Sequence, residues 1–104
     1  MKKKKQGSIL QDRKECYITR KHMDLFCNED LEKHHIYAGK NREVSERNGF
    51  WVYIAHYYHT GSNIAVHCRD GAELDWELKR DCQRAYERTH TRAEFMALIG
   101  RNYL

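Results

Sequence analysis

The sequence predicts an α+β fold in which two strands precede a long helix and a short C-terminal helix. Residues 50–54 are all aromatic or β-branched and, with Ala55, follow an Asn-Gly turn, which is typical of a strand. Residues 32–37 are expected to form the first strand, a short one, which pairs with the second strand at residues 50–55 across a long loop. Farther along, apolar residues recur at steps of four, four and three, which places them on one helical face: Leu74, Leu78, Cys82 and Ala85.

Length and composition predict a single small domain. With 104 residues, 40% of them apolar, the chain has room for one modest core. It contains no apolar run long enough to cross a bilayer, and its basic start is not followed by the apolar core of a signal peptide. We therefore expect a cytoplasmic protein with a basic disordered tail at residues 1–12 and one domain at residues 13–104.

The charge distribution allows two interpretations. The formal net charge is +4, and lysines fill positions 2–5. A basic tail on a small basic domain suits a polyanion, because neutralising phosphates releases counterions. The same tail is equally well explained as a solvated segment that aids solubility.

The remaining segments are predicted from local signals. Residues 14–19 are expected to form a short strand or a knuckle, and residues 38–42 a loop in which Gly39 supplies backbone freedom. Residues 42–47 are expected to form one helical turn. The long helix is predicted from near residue 64 to about residue 88, with a break at Gly71.

The last helix is marked at both ends. The Thr91 hydroxyl can accept a hydrogen bond from the amide of Glu94, and the Glu94 side chain can reach back, which is the pattern of a capping box. Gly100 is expected to end the helix.

Five of the seven histidines bracket one strand–loop–helix unit, whereas His22 and His90 are isolated and are expected at the surface. His34 comes from the first strand, His59 from the end of the second, and His67 from about the first turn of the helix. Imidazole suits first-row divalent metals, so these three histidines are the candidate ligands of one metal ion. A continuous helix over 59–67 would separate His59 from His67 by roughly 12 Å, so residues 61–63 must break it. Asn63 is the alternative third ligand.

The adjacent histidines His34 and His35 cannot bind one ion from a regular strand, because neighbouring side chains point to opposite faces. This geometry predicts a division in which His34 binds the metal and His35 acts on water as a general base. The alternative is a hairpin that carries one buried and one exposed histidine.

These residues resemble the HNH nuclease family, whose core is a ββα-metal (His-Me finger) unit. The resemblance rests on His34-His35-Ile36 and the following residues 37–42, on His59, on Val66-His67, and on the ending at residues 100–104, and it spans about residues 14–104. The chain resembles in particular the small HNH-type proteins that are common in phages and prophages. It implies that His34 and His59 are metal ligands, that His35 is the general base, and that His67, or alternatively Asn63, completes the site.

The chain departs from the family pattern in two places. Phe50 stands where the family usually has an asparagine, and Asn41 or Asn48 is the nearest replacement, with Asn41 preferred as the residue that supports the base or orients the loop. Many relatives also have two CxxC knuckles that bind zinc. The matching positions, 16–19 and 55–58, contain only Cys16, so no structural zinc is expected, and the four cysteines are expected to be reduced.

The resemblance implies a metal-dependent endonuclease that hydrolyses DNA phosphodiester bonds with one divalent ion, Mg²⁺, Mn²⁺, Ni²⁺ or Zn²⁺. Lys40, Arg42 and Arg69 are then the candidate phosphate contacts. The partners implied are DNA and either a second copy of the chain or a phage protein, in the cytoplasm of a bacterial host. The alternatives are a catalytically inactive HNH-like module that binds DNA or a phage partner, and a purely structural zinc protein.

Overall fold

A computed structural model describes residues 7–104 and shows an α+β fold. Two strands and five helices follow one another in the order α1 (Tyr17–Met23), β1 (Leu31–His35), α2 (Arg42–Asn48), β2 (Trp51–Ala55), α3 (His56–His59), α4 (Ala72–Tyr86) and α5 (Arg92–Ile99). A 3-10 turn at Gly39–Asn41 precedes α2. The predicted α+β class is confirmed, and the two strands, the long helix and the short helix follow one another in the predicted order.

The two strands pair antiparallel, with Leu31 opposite Ala55 and His35 opposite Trp51. Within β2, Val52 and Ile54 are buried and the residues between them are half-buried. The sheet therefore has one face on the core, as the period of two in a strand requires.

The core lies between this sheet face and α4 and α5. Of the four residues predicted on one face of α4, three are buried and Ala85 is half-buried. Aromatic rings fill the centre: Tyr37 lies edge-on to Phe50 and Phe95, with ring centroids 5.7 and 5.6 Å away. The predicted first residue of the second strand, Phe50, is a core residue that directly precedes β2.

The segment after β1 is held by a buried serine. The Ser45 hydroxyl donates to the Tyr37 carbonyl at 2.7 Å and accepts from the Tyr37 amide at 3.2 Å. These two hydrogen bonds satisfy backbone groups that lie beyond the last paired residue of β1, and they fix α2 against the end of that strand.

The prediction of a strand or knuckle at residues 14–19 is wrong, because this segment starts α1. The Cys16 thiol accepts the Thr19 amide at 3.4 Å and thereby caps the helix, while the Cys16 amide donates to the Cys27 carbonyl at 2.7 Å. The β-branched residues Ile18 and Thr19 are buried in the helix. Tertiary packing outweighs their preference for strands.

The long helix starts at Ala72, eight residues after the predicted start near residue 64. The Val66 amide donates to the Tyr58 carbonyl at 2.9 Å, and the His67 amide donates to the His59 carbonyl at 3.2 Å. These amides are therefore not available for a helix, and the chain between α3 and α4 folds back as a loop of turns. The break predicted at Gly71 lies at the N-cap of α4.

The final helix matches its prediction at both ends. The Glu94 amide donates to the Thr91 hydroxyl at 3.1 Å, and the Thr91 amide donates to the Glu94 carboxylate at 2.9 Å. Gly100 ends the helix with a φ of 87°, a conformation that glycine adopts without strain.

The N-terminal segment differs from the disordered tail predicted for residues 1–12. The Ser8 hydroxyl donates to the Trp51 carbonyl at 2.6 Å, and the Gln11 side chain accepts the Tyr53 amide at 2.6 Å. Ile9 and Leu10 pack against the core. Residues 8–11 are thus ordered along the edge of β2, because unpaired strand groups and an apolar surface are available there. Residues 1–6 of the predicted tail lie outside the described residues.

None of the helices within residues 7–104 is both long enough and apolar enough to cross a membrane.

Replacing Gly71 with alanine is expected to destabilise the protein by roughly 1–3 kcal/mol, because the new Cβ overpacks a tight contact. That atom would lie 2.0 Å from the Ala65 carbonyl oxygen, in the loop that carries His67. Urea unfolding of Gly71→Ala against wild type measures the loss. Gly7→Ala is the matched control, since its Cβ would meet no atom within 4 Å. Equal midpoints for the two variants would contradict the close packing of this loop on α4.

Candidate metal centre

Three histidines from separate parts of the chain meet at one point. His34, His59 and His67 each offer a ring nitrogen, and these nitrogens lie within 4.8 Å of one another. The ring centroids are 5.4 Å apart for His34 and His59, 5.0 Å for His34 and His67, and 4.7 Å for His59 and His67. Within residues 7–104, this is the one group of three or more His, Cys, Asp or Glu donors placed closely enough to hold an ion.

Different elements position the three rings. His34 lies in β1 opposite Val52, on the core face of the sheet, and is only 2% exposed. His59 is the last residue of the one-turn helix α3, four residues beyond the end of β2. His67 lies in the loop and not in a helical turn. Its amide bond to His59 brings it back to the cluster.

The His34 ring has a buried nitrogen, Nε2, without a hydrogen-bond partner among the described residues. Leaving such a group unpaired costs about 1–3 kcal/mol. Burial first, and then the charges of the neighbouring His67 and His59, lower the pKa of His34 to about 3. The ring is therefore neutral at physiological pH, the form that binds a metal.

The His59 ring is oriented by a carboxylate. Its Nδ1 bonds the Glu32 carboxylate at 2.8 Å, which leaves Nε2 for the cluster. The same carboxylate contacts exposed His56 at 3.2 Å. These bonds, the one from His59 first, lower the pKa of Glu32, so the carboxylate stays charged. A carboxylate behind a histidine fixes the ring and its tautomer, as is usual for histidines that bind metals.

The third ring, His67, is on the solvent side of the cluster. Partial burial lowers its pKa, and the proximity of His59 adds to this effect. Three protein donors on one side, with the most exposed of them at the surface, leave room for water or substrate on an ion held there. The alternative ligand, Asn63, is an exposed residue of the same loop whose backbone carbonyl accepts the Asp70 amide at 2.7 Å.

The residues present fit a first-row divalent ion. The donor set is three imidazoles, at least two of which have a pKa below the usual value, and the buried nitrogen of His34 needs a partner. Nitrogen donors of this kind suit Zn²⁺, Ni²⁺, Cu²⁺ and Fe²⁺ better than Mg²⁺, which prefers oxygen.

The predicted general base, His35, points to the other side of β1. Its Nε2 bonds the Glu46 carboxylate of α2 at 2.6 Å, and Lys33 contacts the same carboxylate at 2.9 Å. These bonds, from Lys33 and then from His35, lower the pKa of Glu46. Because Nε2–H of His35 donates its hydrogen bond to the charged carboxylate, Nδ1 is the nitrogen with a free lone pair that can accept a proton from elsewhere.

The two asparagines considered for the missing family position have structural bonds. The Asn41 side chain donates to the Ile99 carbonyl at 3.0 Å and so ties the loop after β1 to the end of α5. Asn48 donates to the Val44 carbonyl within α2. Asn41 therefore orients the loop by holding the end of α5. Its side-chain amide donates to Ile99 and not to the backbone of His35.

The predicted phosphate contacts are all exposed. Lys40 lies in the 3-10 turn, Arg42 begins α2, and Arg69 lies two residues after His67 in the loop. Arg69 is 3.7 Å from Asp70 and its side chain is 80% exposed, so this ion pair holds it weakly.

Two residues of the site were not anticipated, Glu32 and Glu46. Strand alternation was the available signal: Glu32 shares a face with His34, and Lys33 shares the opposite face with His35. The contact between His35 and Glu46 joins β1 to α2, and the two residues are eleven positions apart. No sequence pattern comparable to strand alternation predicts this contact.

Comparisons with known proteins do not identify the chain: no family model matches it, and no curated protein or solved structure is significantly similar to it.

The stability of the metal-free protein is expected to fall as the pH drops below about 6.5. The pKa of His34 is near 6.5 in the unfolded chain and about 3 in the folded protein, so between these values the unfolded chain binds a proton that the folded one rejects. Urea unfolding in EDTA at about pH 7.5 and about pH 5 measures the loss. The loss of unfolding free energy between these two pH values should be about 1–2 kcal/mol smaller in His34→Gln than in wild type.

His90→Gln is the control for this measurement, because His90 is exposed and distant in sequence from the cluster. It should retain the wild-type pH dependence. Parallel stability curves for wild type and His34→Gln would show that His34 is not buried in its neutral form.

Proposed function

We propose that the protein is a metal-dependent endonuclease that hydrolyses DNA phosphodiester bonds. The observation that carries this proposal is the convergence of His34, His59 and His67, with a buried and unpaired nitrogen on His34. The resemblance of the chain to HNH nucleases supports the same class of reaction. An α+β fold in which one strand of a two-stranded antiparallel sheet supplies His34 is compatible with a ββα-metal core.

In this proposal His34, His59 and His67 hold one divalent ion. A bound ion of this kind supplies positive charge to the phosphate and to the leaving oxygen. His34 anchors the site in the core, and Glu32 keeps the His59 ring aimed at it. His67, the exposed member, borders the side from which substrate arrives.

His35 is the proposed general base. With Nε2 bonded to Glu46, its Nδ1 takes a proton from the attacking water, and the carboxylate stabilises the imidazolium that results. His35 is next to His34 in β1, and a positive charge on it lowers the pKa of His34. In this proposal the adjacent residues His35 and His34 have different roles: His35 takes a proton from water, and His34 holds the ion. Lys40, Arg42 and Arg69 are proposed to contact phosphates without reading sequence.

A second candidate function is a structural metal site in a DNA-binding or partner-binding module without catalysis. It is favoured by the origin of the three histidines in a strand, a one-turn helix and a loop, because an ion there would join these segments. Binding free energy would then add to the stability of a small domain.

Metal titration tests the ligand set. Wild-type protein stripped with EDTA is expected to bind one Zn²⁺ or Ni²⁺ per chain in calorimetry. His67→Ala removes an exposed donor without opening the core. It should weaken metal binding by on the order of 100-fold, because losing a ligand costs at least as much as losing a residue that hydrogen-bonds a ligand. The control His22→Gln alters an exposed histidine on α1 and should bind as wild type does. Equal affinity in His67→Ala would remove His67 from the ligand set.

Plasmid nicking tests catalysis and separates the two candidates. Wild type with Mg²⁺, Mn²⁺ or Ni²⁺ should convert supercoiled DNA to nicked or linear forms. His35→Ala should reduce the rate by about 10²–10⁴-fold, the usual contribution of a general base, while its metal affinity stays unchanged. His90→Gln should cut at the wild-type rate. If purified wild type binds metal and cuts no DNA with any of these ions, the structural candidate replaces the nuclease.

A further inference from the structure

Two arginines on the surface flank one indole ring. The guanidinium carbons of Arg80, in α4, and Arg101, after α5, lie 5.3 and 5.2 Å from the centre of the Trp76 ring. Arg101 also lies 5.0 Å from the ring of Tyr103. Both arginines are exposed, whereas the two aromatic residues are half-buried. The rings form a platform that holds two positive charges at the surface.

Neither arginine forms an ion pair within residues 7–104, unlike the other cations along this helix. Lys79 pairs with Asp75, and Arg84 pairs with Asp81. The nearby carboxylates Glu77 and Asp81 are bonded to Lys21 of α1. Trp76 and Arg80 line a surface groove together with Glu73. Among the described residues, Glu73 makes no ion pair with either arginine. Two like charges beside one ring repel each other, and an anion between them would relieve this repulsion.

Hydrogen bonds hold part of this surface in place. Arg80 donates its Nε to the Tyr103 carbonyl at 3.2 Å, which leaves its two terminal nitrogens for a ligand. The Tyr103 amide donates to the buried Gln83 side chain at 2.8 Å, and the Tyr103 ring lies 5.2 Å from Trp76. The segment after α5 is therefore bound to α4, and Arg80 has less side-chain entropy to lose on binding than a free arginine has.

This surface is connected through α4 to the segment that follows His34. Lys79 precedes Arg80 in α4, and its ammonium lies 5.7 Å from the Tyr103 ring. The Tyr37 hydroxyl, three residues after His34, donates to the Lys79 carbonyl at 2.6 Å. This part of α4 therefore joins the aromatic platform to the end of the strand that carries His34.

We propose that Arg80 and Arg101, supported by Trp76 and Tyr103, bind phosphates of the DNA strand that enters the metal centre. This inference rests on the proposed function and adds the face of α4 and the segment after α5 to the substrate surface. Planar guanidinium groups suit phosphate, since they donate two parallel hydrogen bonds to it. The contacts are to the backbone, so they set the position of the strand and not the sequence recognised.

The test is DNA binding by the full chain, measured by fluorescence anisotropy of a labelled duplex in EDTA at several salt concentrations. The double variant Arg80→Gln/Arg101→Gln is expected to bind at least tenfold more weakly than wild type. Its plot of log affinity against log salt should be shallower by about one to two units, because up to two phosphate contacts are lost. Circular dichroism in the same buffer checks that each variant is folded.

The matched control is Arg13→Gln/Arg88→Gln, which removes the same charge from two exposed arginines that also lack an ion pair in the described part of the chain. It should keep the wild-type salt slope. Arg80→Lys/Arg101→Lys retains the charge and loses the planar donors, and it should bind between wild type and the glutamine variant. Equal weakening in the two glutamine doubles, or none in Arg80→Gln/Arg101→Gln, would overturn the proposal, as would wild type that binds no DNA at low salt.

Binding in EDTA requires neither an ion nor a cut, so it is independent of the nicking assay. If the arginine double loses DNA affinity while wild type cuts no plasmid, the DNA surface stands and the nuclease fails. If wild type cuts plasmid and the arginine double binds and cuts normally, the nuclease stands and the DNA path across α4 fails.

Discussion

The candidate site depends on two backbone hydrogen bonds that fold the chain back on itself after β2. The amides of Val66 and His67 donate to the carbonyls of Tyr58 and His59, and the loop then packs against the start of α4 at Gly71. Without this return, His67 would not reach His34 and His59, and the cluster would have two rings in place of three. Because the amides are used within the loop, α4 can start only after it.

The electrostatics of the cluster suit an anionic substrate. Its three donors are imidazoles, and the nearest carboxylate, Glu32, binds the far side of His59. Neutral ligands leave the charge of a divalent ion uncompensated, which favours the approach of a phosphodiester. On the proposed path, the unpaired arginines of the α4 surface extend this positive region. Glu46 is separated from the cluster because it lies with His35 on the opposite face of β1.

Much of the framework follows from local patterns. The strand at residues 51–55, the buried face of α4 and the capping box at Thr91 depend on side-chain period and hydrogen bonds between near neighbours. Local patterns were insufficient at residues 14–19 and 60–71. There the backbone is held by distant partners, the Cys27 carbonyl for Cys16 and the carbonyls of α3 for the loop.

The sequence by itself determined that His34 and His35 face opposite ways, since a strand alternates its side chains, and it selected His34, His59 and His67 as partners. Only the tertiary structure decided how close the three rings lie, because their separation depends on where a loop without helical periodicity returns. It also assigned Glu32 to His59 and Glu46 to His35, and it placed Arg80 beside Arg101. These are contacts between residues 11 to 27 positions apart in the chain, and no local pattern encodes which distant surfaces pack together.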